Sequence, residues 1–117
     1  MSIPVVVLDA CVLYPADIRD TLLRGADEEL LRPCWSERIL DEVTRNLVAD
    51  GRMSVLQAER LVSTMSDAFP EALVTGYQSI ESKMTNHPKD RHVVAAAVAA
   101  QARVIVTFNS RFPKHVT

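Results

Sequence analysis

Apolar and polar positions alternate between two periods along this chain. Val5-Val6-Val7-Leu8 is a short all-apolar run, which predicts a fully buried strand of about 4–8 in a parallel sheet. Asp17 to Ala26 carries apolar residues at helical spacing behind Pro15, and so predicts a helix. Leu30 to Trp35 reads as a second short strand ending at Ser36, a good N-cap for a helix of about 37–49 whose buried stripe is Ile39, Leu40, Val43 and Leu47. Asp50-Gly51 stops that helix. Ser54-Val55-Leu56-Gln57 is a capping box ahead of a helix of about 55–68, closed by Pro70. Leu73-Val74-Thr75 predicts a brief strand, and Ser79 a cap for a helical turn around 80–84. The polar loop Asn86-His87-Pro88-Lys89 then delivers Asp90 to an Ala/Val-rich helix of about 90–101, and Val104 to Thr107 forms a last buried strand ending at Asn109.

Strands alternating with helices predict an α/β fold with a central, mostly parallel sheet flanked by helices. A length of 117 residues, with no repeat, linker or low-complexity tract, fits one domain over 1–117. Few aromatics make its core aliphatic. The net charge of −2 provides no global positive field, so nucleic acid would have to meet a local patch. Ten of the 13 basic residues are Arg, whose planar fork suits phosphate. Cys11 and Cys34 read as reduced core thiols, and no apolar run approaches the roughly 20 residues that span a bilayer, which predicts a soluble, cytoplasmic protein.

Parallel sheets collect their chemistry at the carboxyl ends of strands, and Asp9 stands where the first strand stops. Taken singly, Asp9 can be a turn cap, Glu42 a solvated or Arg45-paired helix carboxylate, and Asp90 an acid favoured by a helix N-terminus. Their convergence in one concave site would raise their pKa values through mutual repulsion unless a cation compensated. Hard oxygen ligands favour Mg²⁺ or Mn²⁺, and the expectation is a triad caging one such ion for phosphodiester hydrolysis.

Leu8 to Leu13, the helix Ile39 to Leu47, Asp90 to Ala97 and Ile105 to Asn109, in this order, resemble the PIN domain, a family of small prokaryotic endoribonucleases that includes many VapC-type toxins of toxin–antitoxin pairs. The resemblance covers nearly the whole chain. It implies a three-layer, Rossmann-like PIN fold, a Mg²⁺ or Mn²⁺ ion on acidic side chains, RNA cleavage, a cognate antitoxin and frequent homodimerisation. By motif position the metal-binding acids are Asp9, Glu42 and Asp90. Asn109 stands where many members carry a fourth acid, and is a weaker, neutral ligand.

The sequence ends at Thr117, soon after Arg111-Phe112-Pro113-Lys114, so this PIN-like fold is expected to be C-terminally short, with a sheet edge that pairs with a second copy or lies under an antitoxin. Ser36 and Thr107 are expected to support the site by hydrogen-bonding metal-bound water, and Arg45, Arg91 and Arg111 to meet RNA phosphates. Trp35 and His92 read as packing residues. A haloacid-dehalogenase-type phosphatase would need a second Asp at the position of Cys11, and no glycine-rich phosphate loop is present among three Gly. The competing reading is a PIN fold of weak or no catalytic activity, acting as an RNA-binding or protein-interaction module.

Overall fold

A computed structural model describes residues 2–109. The elements are β1 (Val5–Leu8), α1 (Ala10–Leu13), α2 (Ala16–Asp27), β2 (Arg32–Ser36), α3 (Glu37–Ala49), α4 (Val55–Ala68), β3 (Leu73–Val74), α5 (Gln78–Glu81), α6 (Arg91–Ala99) and β4 (Val104–Val106). The four strands form one sheet in the order β3-β2-β1-β4, with every pairing parallel. The expected α/β architecture with helices flanking a parallel sheet is present.

Strand order sets the position of the site. From β1 the chain steps to β2 and β3 on one side, and β4 returns on the other side of β1. The crevice outside the carboxyl ends of β1 and β4 is therefore the topological switch point, where open α/β sheets place their ligands. Val6 pairs with both Pro33 and Val104, and Val7 with both Cys34 and Ile105, so β1 is paired on both edges. Such a strand must be apolar on both faces, and Val7 and Leu8 are fully buried. Pro33 is tolerated because β3 pairs only with Trp35 and Ser36, so no ladder donor is missing on that side.

Helix ends follow local chemistry. Ser36 Oγ accepts the Ile39 N–H at 3.1 Å, and the box of Ser54 and Gln57 closes reciprocally at the start of α4. At the end of α3, Gly51 takes φ +69° while the Gly51 and Arg52 N–H groups donate to the Val48 and Leu47 carbonyls, a Schellman closure. The same closure ends α2 and α6 without glycine, with Glu29 at φ 62° and Gln101 at φ 55°.

The structure differs from the sequence reading in three places. The four-residue helix α1 was not expected, and Arg19 is buried beneath it, donating from Nη1 to the Leu13 and Tyr14 carbonyls. The short helix α5 begins at Gln78, and Tyr77 rather than Ser79 precedes it, with no side-chain cap. The last helix ends at Ala99, with Asp90 as its N-cap residue. Trp35 packs as read: it is 1% exposed and meets Phe69 edge-on at 6.2 Å between ring centroids, which removes it from any base-stacking role.

Candidate active site

A cleft of about 390 Å³ opens at the switch point, lined by Asp9, Glu42, Lys89, Asp90, His92 and Asn109, with Cys11 and Phe108 at its side. Three carboxylates widely separated in sequence thus face one hollow. Each arrives there for a different local reason. Asp9 leaves β1 with its N–H on the Val106 carbonyl at 3.1 Å, while its Oδ1 accepts the Ala10 N–H at 2.8 Å as the N-cap of α1. Its Oδ2 faces the cleft and accepts the Thr107 hydroxyl at 2.9 Å, with Cys11 Sγ at 3.5 Å. Glu42 projects from the second turn of α3, adjoining the buried Val43. Asp90 holds the N-cap position of α6, but its side chain makes no cap bond. Instead its Oδ1 accepts from Asn109 Nδ2 at 3.2 Å.

The electrostatics record the crowding. The Glu42 carboxyl is raised above its ordinary value by partial burial first and by the negative charge of Asp9 second, with Asp90 adding to it and Arg38 and Arg45 opposing it. Glu42 is nevertheless an exposed residue, so the desolvation it feels is partial. Burial, reinforced by Arg38, lowers the His92 imidazole below its usual range, favouring its neutral form. His92 is 2% exposed and its Nδ1 has no hydrogen-bond partner among the described residues. Burial also raises the Cys11 thiol, although its hydrogen bonds with Thr107 and with the Phe108 N–H pull the other way.

Donor chemistry and spacing decide whether these residues suit a divalent ion. The donors suit it, since hard carboxylate oxygens converge and one of them is already destabilised as an anion. The spacing departs from the expected cage. Among the described residues no group of three His, Cys, Asp or Glu side chains is close enough to enclose an ion. Mg²⁺ is usually held by one or two carboxylates and keeps several of its waters. The residues therefore fit a hydrated ion, not a stripped one. Lys89 does not fill the gap as an ion-pair partner, because the ion pairs among the described residues are Arg38 with Glu81 and Arg45 with Asp41.

The remaining sequence candidates divide. Thr107 sits at the site, donating to Asp9 and accepting the Asn109 N–H at 2.9 Å. Ser36 is fully buried, serves as the cap of α3 and lies outside the cleft lining. Arg45 is paired with Asp41 one turn earlier on an exposed face, and Arg91 donates from Nε to the Asn86 carbonyl at 2.7 Å, so neither lines the cleft. Arg111 lies outside the described residues. Cys34 is buried and free as read, but Cys11 is half-buried beside Asp9 and Thr107 rather than in the core. Sequence reading assigned no role at the site to Lys89, Phe108 or Arg38. The only available signal was their proximity in sequence to Asp90, Asn109 and Glu42.

Among known proteins, "Putative ribonuclease VapC50" of Mycobacterium tuberculosis (strain ATCC 25618 / H37Rv) is 50% identical over 56 residues, covering 44% of this chain and 33% of that relative. The chain thus matches about a third of the relative's length. No solved structure gives a significant match. The family model described as PIN domain matches residues 5–111, a span that includes Asp9, Glu42, Asp90 and Asn109. With nearly the whole chain covered by that match and the acids gathered at its switch point, the chain belongs to the PIN domain family.

Proposed function

We propose that this chain is a metal-dependent endoribonuclease that hydrolyses RNA phosphodiesters, a single PIN-like domain over residues 1–117 and the toxin of a type II toxin–antitoxin pair. The observation that carries this reading is the convergence of Asp9, Glu42 and Asp90 on one cleft at the carboxyl end of the sheet. Mg²⁺ or Mn²⁺ would be held by these acids, with Asn109 as a neutral and weaker contributor. Such an ion, when bound, lowers the pKa of a water and offsets charge growing on the phosphate.

The chain's own residues prepare that chemistry. Thr107, just after β4, fixes the orientation of Asp9, and the Asn109 amide does the same for Asp90. Glu42, with its carboxyl raised by burial and by Asp9, is suited to take the proton of the attacking water. Lys89 in the cleft, and Arg91 following Asp90, are the cations that meet RNA phosphates, while Arg45 is committed to Asp41. Among the described residues no helix is long and apolar enough to cross a membrane. The reading places the protein in the cytoplasm, as a homodimer under control of a cognate antitoxin. Size-exclusion chromatography at micromolar concentration and relief of growth arrest by a co-expressed neighbouring gene test those partners.

The lack of a three-ligand group among the described residues and the amide at Asn109 favour a second reading, a PIN-fold module that binds RNA or protein without cutting. Incubation of mixed RNA with the protein in Mn²⁺, Mg²⁺ or EDTA, beside Asp9→Asn and Asp90→Asn, separates the two. Cleavage that requires metal and both carboxylates supports the nuclease. Cleavage surviving EDTA or either substitution refutes it, and binding without cleavage in every metal establishes the module.

A further inference from the structure

Phe108 is 65% exposed and lines the same cleft as the three acids. Isolated exposed apolar side chains are ordinary on a protein surface. Leu30, Val55, Leu56, Leu73 and Val98 are the other large ones among the described residues, and none of them lines this cleft. The backbone around Phe108 is held by two side chains of the site. Its own N–H donates to Cys11 Sγ at 3.3 Å, and the next N–H, that of Asn109, donates to Thr107 Oγ1 at 2.9 Å. The same Thr107 hydroxyl bonds Asp9, so the backbone segment that carries Phe108 is tied to the acid through one side chain.

We propose that Phe108 is a base-stacking platform which receives the face of an unpaired nucleobase beside the scissile phosphate, so that the enzyme selects single-stranded RNA. The proposal rests on the ribonuclease reading above. Besides charged and hydrogen-bonding groups that suit a phosphate, the cleft is lined by the buried Val93 and by this ring, the one exposed aromatic face among its described lining residues. A nucleobase has a π-face whatever its identity, so stacking tolerates sequence. A base already stacked within a duplex gains nothing from the ring, whereas one in a loop or at an end does. A pre-fixed backbone lowers the ordering cost of the contact.

The test uses the full chain as wild type, Phe108→Ala, Phe108→Leu and Phe108→Trp, with fluorescein-labelled oligouridine and the same strand annealed to its complement. The side chain is exposed, so all four proteins should melt alike. For the single strand, Phe108→Ala and Phe108→Leu should raise KM about tenfold or more with kcat nearly unchanged, Phe108→Trp should restore it, and the duplex should show no such dependence. In the non-cleaving Asp90→Asn background, anisotropy should reproduce the tenfold loss of affinity. The introduced indole should be quenched by the oligomer, above a constant signal from the buried Trp35. Unchanged KM in Phe108→Ala, or equal losses on single strand and duplex, overturns the stacking role while leaving the nuclease intact. Failure of the wild type to cut or bind any RNA removes both together.

Discussion

The two ends of the sheet invite comparison. At the amino end lies the larger hollow, about 680 Å³, walled by Val5, Leu31, Cys34, Phe69 and Val74, with Glu29, Arg32 and Glu71 exposed at its margin. The carboxyl-end cleft has a little over half that volume, yet of the five buried polar or charged residues described, it contains three, Asp9, Asp90 and His92. The other two, Arg19 and Ser36, serve helix ends. Burying a carboxylate is costly unless it is bonded, so side chains that only filled space would not collect there. Volume is a poor guide to a site, and concentrated, oriented burial of charge is a better one. On the proposed reading the amino end carries stability and the carboxyl end carries chemistry.

The strongest way to break that contrast is to exchange the consequences of mutation. Asp90→Asn should lower RNA cleavage at least about 100-fold with little change in melting temperature. Phe69→Ala, which removes the edge-on partner of Trp35, should cost about 2 kcal/mol of stability while kcat of the folded protein is kept. Denaturant melts beside initial cleavage rates report both quantities. If the core substitution abolished cleavage in fully folded protein, the division between the ends would fail.

Thr107→Val sharpens the comparison within the carboxyl end. The substitution preserves shape but removes the hydroxyl that donates to Asp9 and accepts from Asn109. A supporting group of this kind is worth about 10- to 100-fold in activity or metal affinity. Titration with Mn²⁺ should show weakened affinity together with the lost rate. A rate loss with unchanged metal affinity would instead assign Thr107 to the substrate.

Legibility in the sequence followed the same division. β1, α3, α4 and β4 were readable because period and caps agreed, with Ser36, the Ser54–Gln57 box and Gly51 marking boundaries. The helix after Asp90 ended earlier than its pattern suggested because Gln101 adopts the left-handed conformation normally signalled by Gly or Asn. Helix α1 escaped notice because four residues do not complete a hydrophobic period. Asp9, Glu42 and Asp90 could be singled out by strand end, stripe border and helix start. The bond of Asn109 to Asp90 and the place of Cys11 depend on β4 returning beside β1, a topology that local sequence does not encode.

Smaller effects test residues the structure has reassigned. Ser36→Ala should cost about 1 kcal/mol, lowering the melting temperature by about 3–6 °C, and should leave the cleavage rate within about twofold, because its hydroxyl is engaged by the Ile39 N–H. A much larger rate loss at preserved stability would return Ser36 to the site. Gln101→Gly should act in the opposite direction at the amino end, raising stability by about 0.5–1 kcal/mol by relieving a non-glycine residue held at φ 55°.

The smallest effect probes the cost of gathering charge. The Glu42 carboxyl is raised in the folded chain by burial and by Asp9, so between its ordinary and raised values the folded state binds more protons than the unfolded state. Stability contributed by the protonated form is therefore full below the ordinary glutamate value and is lost as pH rises through the raised value. Glu42→Gln should be as stable as the parent near pH 4, roughly, and more stable by about 1 °C near neutrality in EDTA, a modest gain because the side chain is partly solvated. Added Mn²⁺ should reverse the order, since an ion binding the folded state stabilises the parent, with its full carboxylate set, more than the variant. Thermal melts across this pH range, with and without metal, distinguish the alternatives. A variant less stable than the parent at neutral pH in EDTA would identify Glu42 as an ordinary bonded surface carboxylate and place the electrostatic strain of the cleft elsewhere.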